Sequence, residues 1–123
     1  MQSKTTIPPN STKLLHCWRV MEAVSAEGGR SRHVCGQDPS GKLGSSTSAI
    51  QEFDPIAMTV KTRSGKTYAL VGEPGESRLG EAAWQKWCKD NSIFAEVDVT
   101  SDYQNTIPET TITFKRLGIL PGN

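Results

Sequence analysis

Apolar and polar residues alternate through the middle of this chain, and the alternation fixes a hairpin. The stretches MTVKTR and KTYALV flank Ser64 and Gly65. A two-residue loop sets Tyr68 and Leu70 across from Lys61 and Thr59. A three-residue loop of Arg63, Ser64 and left-handed Gly65 instead pairs Val60 with Tyr68 and Met58 with Leu70. The second register gathers Met58, Val60, Tyr68 and Leu70 on one face and leaves Thr59, Lys61, Thr67 and Ala69 on the other. A slip of one residue carries every side chain across the sheet, so this sorting selects the three-residue loop. SAIQEFD precedes the hairpin as another strand and ends at DPIA, where Pro55 suits the second position of a type I turn.

The period then changes. In ESRLGEAAWQKWCKDN, Leu79, Ala83, Trp84, Trp87 and Cys88 fall on one broad helical face, opposite Arg78, Gln85 and Lys89. Ser77 is the expected N-cap. SIFAEVDVTS returns to alternation, with Ile93, Ala95, Val97 and Val99 on the predicted buried face, and TTITFKR repeats it with Ile112 and Phe114. Near the start, LLHCWRVMEAVS fits both periods: Leu14, Trp18, Met21 and Val24 for a helix, Leu14, Trp18, Val20 and Val24 for a strand. Its β-branched and aromatic content, and the EGG turn signal before SRHVCG, favour a hairpin with Glu27, Gly28 and Gly29 at the tip. A helix over residues 14–25 is the alternative, and it leads to a two-helix sandwich.

About seven strands and one helix result. The expected class is α+β, a strongly bent antiparallel sheet or small barrel with the Trp84/Trp87 helix packed on it. At 123 residues the chain is long enough for one core, placed over residues 14–123 behind a polar, Pro-containing N-terminal arm of residues 1–13, read as mobile.

Composition narrows the function classes. Fourteen basic and 13 acidic residues give a net charge of +1, too little for a strong nonspecific field toward nucleic acid or membrane. The balance is uneven: basic residues dominate up to Lys66 and acidic ones after it. One end of the molecule is therefore expected to be basic if the fold keeps the halves apart. MQSKTTIPPNSTK lacks the apolar segment of a secretory leader, and no run reaches the roughly 18 apolar residues of a membrane helix. The expected setting is cytoplasmic, with Cys17, Cys35 and Cys88 as free thiols.

Chemistry concentrates at HCWRVMEAVSAEGGRSRHVC. Strands pairing about a tip near Ala26 set Cys17 opposite Cys35 and Arg19 opposite His33, so Cys17, His33 and Cys35 share a face. Thiolate and imidazole together suit zinc, although the spacing is not a paired C-x-x-C knuckle and a fourth ligand is missing. Buried cysteine more often acts as a small hydrophobe, and no cofactor is the leading expectation. A Cys–His nucleophile built from the same residues lacks a cleft on strand neighbours. No nucleophile elbow, H-E-x-x-H or paired carboxylates appear in a fixed frame, so the chain reads as non-enzymatic. GEPGESRLG lacks the phosphate-loop frame, and Glu73 and Glu76 would repel a phosphate there.

Two binding readings remain. Trp18, Trp84 and Trp87 exceed what one small core readily hides, and an exposed tryptophan would anchor a protein partner or a second copy. Alternatively, Arg30, Arg32, Lys61, Arg63 and Lys66 at the hairpin tips, with a nearby aromatic, offer the combination used on single-stranded nucleic acid. The frame T-S, then F-D, then V-x-T-R-S-G-x-x-Y-x-L, over residues 46–70, resembles small bacterial proteins carried on mobile elements such as integron cassettes. That resemblance implies an accessory bacterial setting, where binders and inhibitors are common, and it assigns no site.

Overall fold

The computed structural model describes residues 12–104. The predicted strand at residues 110–116, the tail beyond it and most of the N-terminal arm lie outside the described residues. Seven strands and one α-helix follow in the order β1 (Thr12–Ser25), β2 (Arg30–Gln37), β3 (Gly44–Ser46), β4 (Ile50–Asp54), β5 (Thr59–Thr62), β6 (Thr67–Val71), α1 (Arg78–Asp90) and β7 (Ile93–Asp98). A 3-10 turn at Thr100–Tyr103 ends the described chain. The class is α+β. The first segment is a strand and not a helix, and it begins at Thr12, two residues inside the expected arm.

The hairpin of β5 and β6 has the register that side-chain sorting selects, with Val60 opposite Tyr68 and Gly65 at φ +90°. The sheet path runs β3-β2-β1-β6-β5-β4, and β7 also pairs with β1. One pairing is parallel: residues 12–16 of β1 run beside residues 67–71 of β6. The sheet is thus mixed, with every other pairing antiparallel. It is strongly bent, because its two terminal strands, β3 and β4, are joined by residues 47–49 alone. It is not a closed barrel, since no ladder among the described residues connects those two strands.

The long strand β1 serves two partners along one edge, β6 early and β7 late, and it changes direction between them. A bulge at Cys17 and Trp18 interrupts the β1–β2 register, and Cys17 adopts φ +52°. A left-handed backbone costs a non-glycine residue about 1–2 kcal/mol. The bulge places Leu15 and Trp18, three residues apart, in the same core. Each such burial is worth about 1.5–3 kcal/mol or more, so packing outweighs the strain.

Two cores result, on opposite faces of β1 and β2. Inside the curl lie Leu15, Trp18, Val20, Val34, Val60, Tyr68, Leu70 and Tyr103. Against the outer face, α1 packs Trp84 and half-buried Trp87 over Met21, Ala23 and Cys35. The helix starts where Ser77 Oγ accepts the Gly80 N–H at 2.9 Å. The same hydroxyl donates to Gln37 Oε1 at 2.6 Å, which ties the helix start to β2. Close contact requires glycine at Gly80, where a Cβ would lie 2.8 Å from the Gly36 backbone, and at Gly44, where a Cβ would collide with the Leu79 carbonyl.

Candidate functional site

The β1–β2 hairpin pairs Arg19 with Cys35 and Met21 with His33, a slip of two residues from the register expected about Ala26. An even slip preserves faces, so His33 and Cys35 still share one. Cys17 falls in the bulge. His33 is 2% exposed and has both ring nitrogens engaged, Nδ1 with the Thr47 carbonyl at 2.8 Å and Nε2 with Ser31 Oγ at 2.7 Å. In the neutral ring Nδ1–H donates to the carbonyl and Nε2 accepts from the hydroxyl. Burial pushes this imidazole below its ordinary pKa, with the nearby Arg63 charge adding to the effect and the Thr47 carbonyl opposing it. Burial also pushes the Cys35 thiol up to about 12. Cys35 is thus held as the thiol rather than the thiolate that a ligand or nucleophile requires, and both nitrogens of neutral His33 are already occupied by protein partners. No three His, Cys, Asp or Glu side chains converge among the described residues. The fold puts Cys17 in the bulge, apart from the face that His33 and Cys35 share, and Cys35 is packed in the outer core.

The tryptophans divide. Trp18 and Trp84 are 1% and 0% exposed, so neither is available to a partner. Their indole N–H groups are both satisfied internally, Trp18 on the Gly72 carbonyl at 3.1 Å and Trp84 on Glu96 Oε1 at 2.6 Å. Trp87 alone is half-buried, 4.1 Å from the His33 ring and stacked 5.4 Å from Trp84. Of the three, Trp87 alone keeps exposed surface, because two cores rather than one absorb the others.

The basic tip residues also divide. Arg30 and Arg32 close on Glu22 at 2.6 and 2.9 Å, and Arg32 also reaches Asp102 at 3.1 Å. Arg32 lies over the Tyr103 ring at 5.7 Å. These guanidiniums fasten β1, β2 and the 3-10 turn together. Lys61, Arg63 and Lys66 are exposed on the other hairpin and form no ion pair among the described residues.

A groove of about 570 Å³ opens at the start of α1 beside Arg19, Ser77, Glu81 and Glu96. Arg19 is engaged there, meeting Glu81 at 3.3 Å and Asp98 at 2.9 Å. Burial opposes ionisation of Asp98, but the Thr100 hydroxyl and amide together with Arg19 outweigh it and hold the carboxyl below its usual range. Beneath this groove, the void between Cys17 and Cys35 has no room for a water molecule.

The conspicuous open surface is β7. Only one of its edges is paired among the described residues, and it carries Phe94 at 78% and Val97 at 46% exposure. Alternation puts Ile93 and Val97 on one buried face, yet the structure separates them. A register shift beside Val24 and Ser25 leaves Phe94 as an extra residue, after which Glu96 and Asp98 take the helix side. Two acidic residues turned toward Trp84 and Arg19 were the available sequence signal, since both find partners there. No helix among the described residues is long and apolar enough to cross a membrane. No family model, curated protein or solved structure matches the chain.

Proposed function

We propose that this protein is a non-enzymatic binding module that acts by protein contact, pairing the open edge of β7 with the same edge of a second copy. The observation that carries this reading is β7 itself, which among the described residues is an edge strand with a large exposed aromatic residue. Unpaired backbone groups along such an edge are a template for another strand, and burial of an aromatic side chain supplies the anchor. Edges left for solvent are normally blunted by lysine, proline or a short strand. β7 spans six residues and contains neither lysine nor proline.

Charge selects the register. A two-fold axis through Glu96 sets the two Glu96 carboxylates face to face, which is destabilising. An axis through Ala95 avoids this, because no acid then faces its own copy. The resemblance over residues 46–70 supports a bacterial accessory setting for such a module.

Sedimentation equilibrium of the full chain tests the pairing. The expected result is a mass that doubles with concentration, and a dissociation constant weakened at least about tenfold by Phe94→Lys, roughly the loss of one interface anchor. Amide exchange across residues 93–98 should slow as the dimer forms. A monomer at all concentrations would refute the reading. A monomer with those amides protected at every concentration would place residues 105–123 of the same chain on the edge instead.

A further inference from the structure

Between the start of β1, the start of β6 and the last two turns of α1 lies a second cleft, distinct from the β7 edge. Lys13 and Lys66 stand on the sheet side and Lys86 on the helix, with Tyr68, Trp87 and Ser46 among the lining. Its volume is about 460 Å³, within the range of small-molecule sites.

Three observations point to a phosphorylated ligand. First, three lysines from three separate elements converge. Lys86 shares its charge with Asp90 at 2.8 Å, and the other two ammonium groups form no ion pair among the described residues. Asp90 lines the same cleft, so its one carboxylate stands against three ammonium groups there. A lysine ammonium is a point charge suited to phosphate. Second, Ser46 Oγ is the one shielded side-chain polar atom among the described residues without a hydrogen-bond partner. A buried hydroxyl is seldom left unpaired in a native protein, and this one belongs to a residue in the wall of the cleft, just beneath its surface. Third, Trp87 presents a half-buried indole held against Trp84 and His33, an aromatic surface already fixed in place. Lysines beside a fixed aromatic are the combination that takes phosphate and base together.

We propose that this cleft binds a nucleotide unit, with its phosphate at Lys13, Lys66 and Lys86, a hydrogen bond from Ser46, and its base against Trp87. The unit is either a free nucleotide or one residue of a single strand; the chemistry at the cleft is the same. Of the five basic residues that the sequence brings forward for nucleic acid, only Lys66 lines this cleft. Arg30 and Arg32 are committed to Glu22 and Asp102.

Titration of the full chain at low salt with ADP, and separately with a decamer of deoxythymidylate, tests this. Tryptophan fluorescence reports on the site, because Trp87 is the one tryptophan not buried. Binding should quench the signal, and the exposed double variant Lys13→Glu/Lys66→Glu should weaken it at least about tenfold. Lys61→Glu, outside the cleft, should leave ADP binding unchanged. Tighter, salt-sensitive decamer binding identifies a strand as the source. Equal affinity for ADP identifies a free nucleotide. Absence of binding by both ligands, or a folded double variant that binds as the wild type does, overturns the proposal.

Discussion

At the scale of single residues, His33 shows how a group suited to chemistry becomes structural. Its ring is enclosed by Trp84 and Trp87, and both nitrogens are bonded within the protein. Burial holds the folded-state pKa below the unfolded value of about 6.5. Stability that depends on neutral His33 is therefore present above about pH 6.5 and is lost as the pH falls through the lower folded-state value. Urea unfolding at about pH 7.5 and about pH 5 should give a wild-type midpoint that drops on acidification. The His33→Gln variant should drop clearly less. Equal drops in the two proteins would show that protonation of this ring does not govern the acid limb.

At the scale of elements, the seat of α1 depends on two small residues with opposite demands. Ser77 caps the helix and also bonds to Gln37, so Ser77→Ala should cost about 1 kcal/mol in chemical denaturation. Gly80→Ala ought to gain about 1 kcal/mol from helix propensity alone. Here the new methyl would meet Gly36 backbone at 2.8 Å, and backbone cannot rotate away as a side chain can. Overpacking costs about 1–3 kcal/mol, so a net loss is expected. A stabilised Gly80→Ala protein would mean that α1 lifts from β2 without penalty. The hairpin of β5 and β6 is the element most legible in the sequence, because four apolar residues and Gly65 admit one consistent register. The β1–β2 register was less legible, since a tip at Ala26 and one nearer Glu27 and Gly28 sort side chains to the same faces.

At the scale of the whole molecule, the 3-10 turn joins what the ladders leave open. Tyr103 enters the inner core and meets Phe53 of β4 at 4.7 Å, while Thr100 Oγ1 accepts the Val20 N–H of β1 at 2.9 Å. Arg32 of β2 reaches Asp102 in the same turn. Residues 100–103 thus span from one side of the open curl to the other. Tyr103→Ala should cost about 3–5 kcal/mol, as other large aromatic truncations in cores do. Exposed Glu52→Ala, on the nearby edge strand, should stay within about 0.5 kcal/mol. Comparison of their urea midpoints checks this; similar values would show that the turn is a peripheral attachment. The surfaces that remain, the β7 edge and the lysine cleft, lie at separate places on this frame and can be occupied independently.

Local pattern by itself determined the α+β class, the strand character of most segments, the extent of α1 with its Ser77 cap, and the β5–β6 register. Each follows from the spacing of apolar residues and from turn chemistry, which act over a few positions. Only the tertiary structure decided the parallel β1–β6 pairing, the bulge at Cys17, the split of the tryptophans between two cores and the outward turn of Phe94. Those features arise because one long strand must satisfy β6, β7 and α1 together, and no short window of sequence contains all three. The candidate sites belong to the second group for the same reason. Lys13, Lys66 and Lys86 are ordinary surface residues in the chain and become one site only when a parallel strand and a helix bring them together.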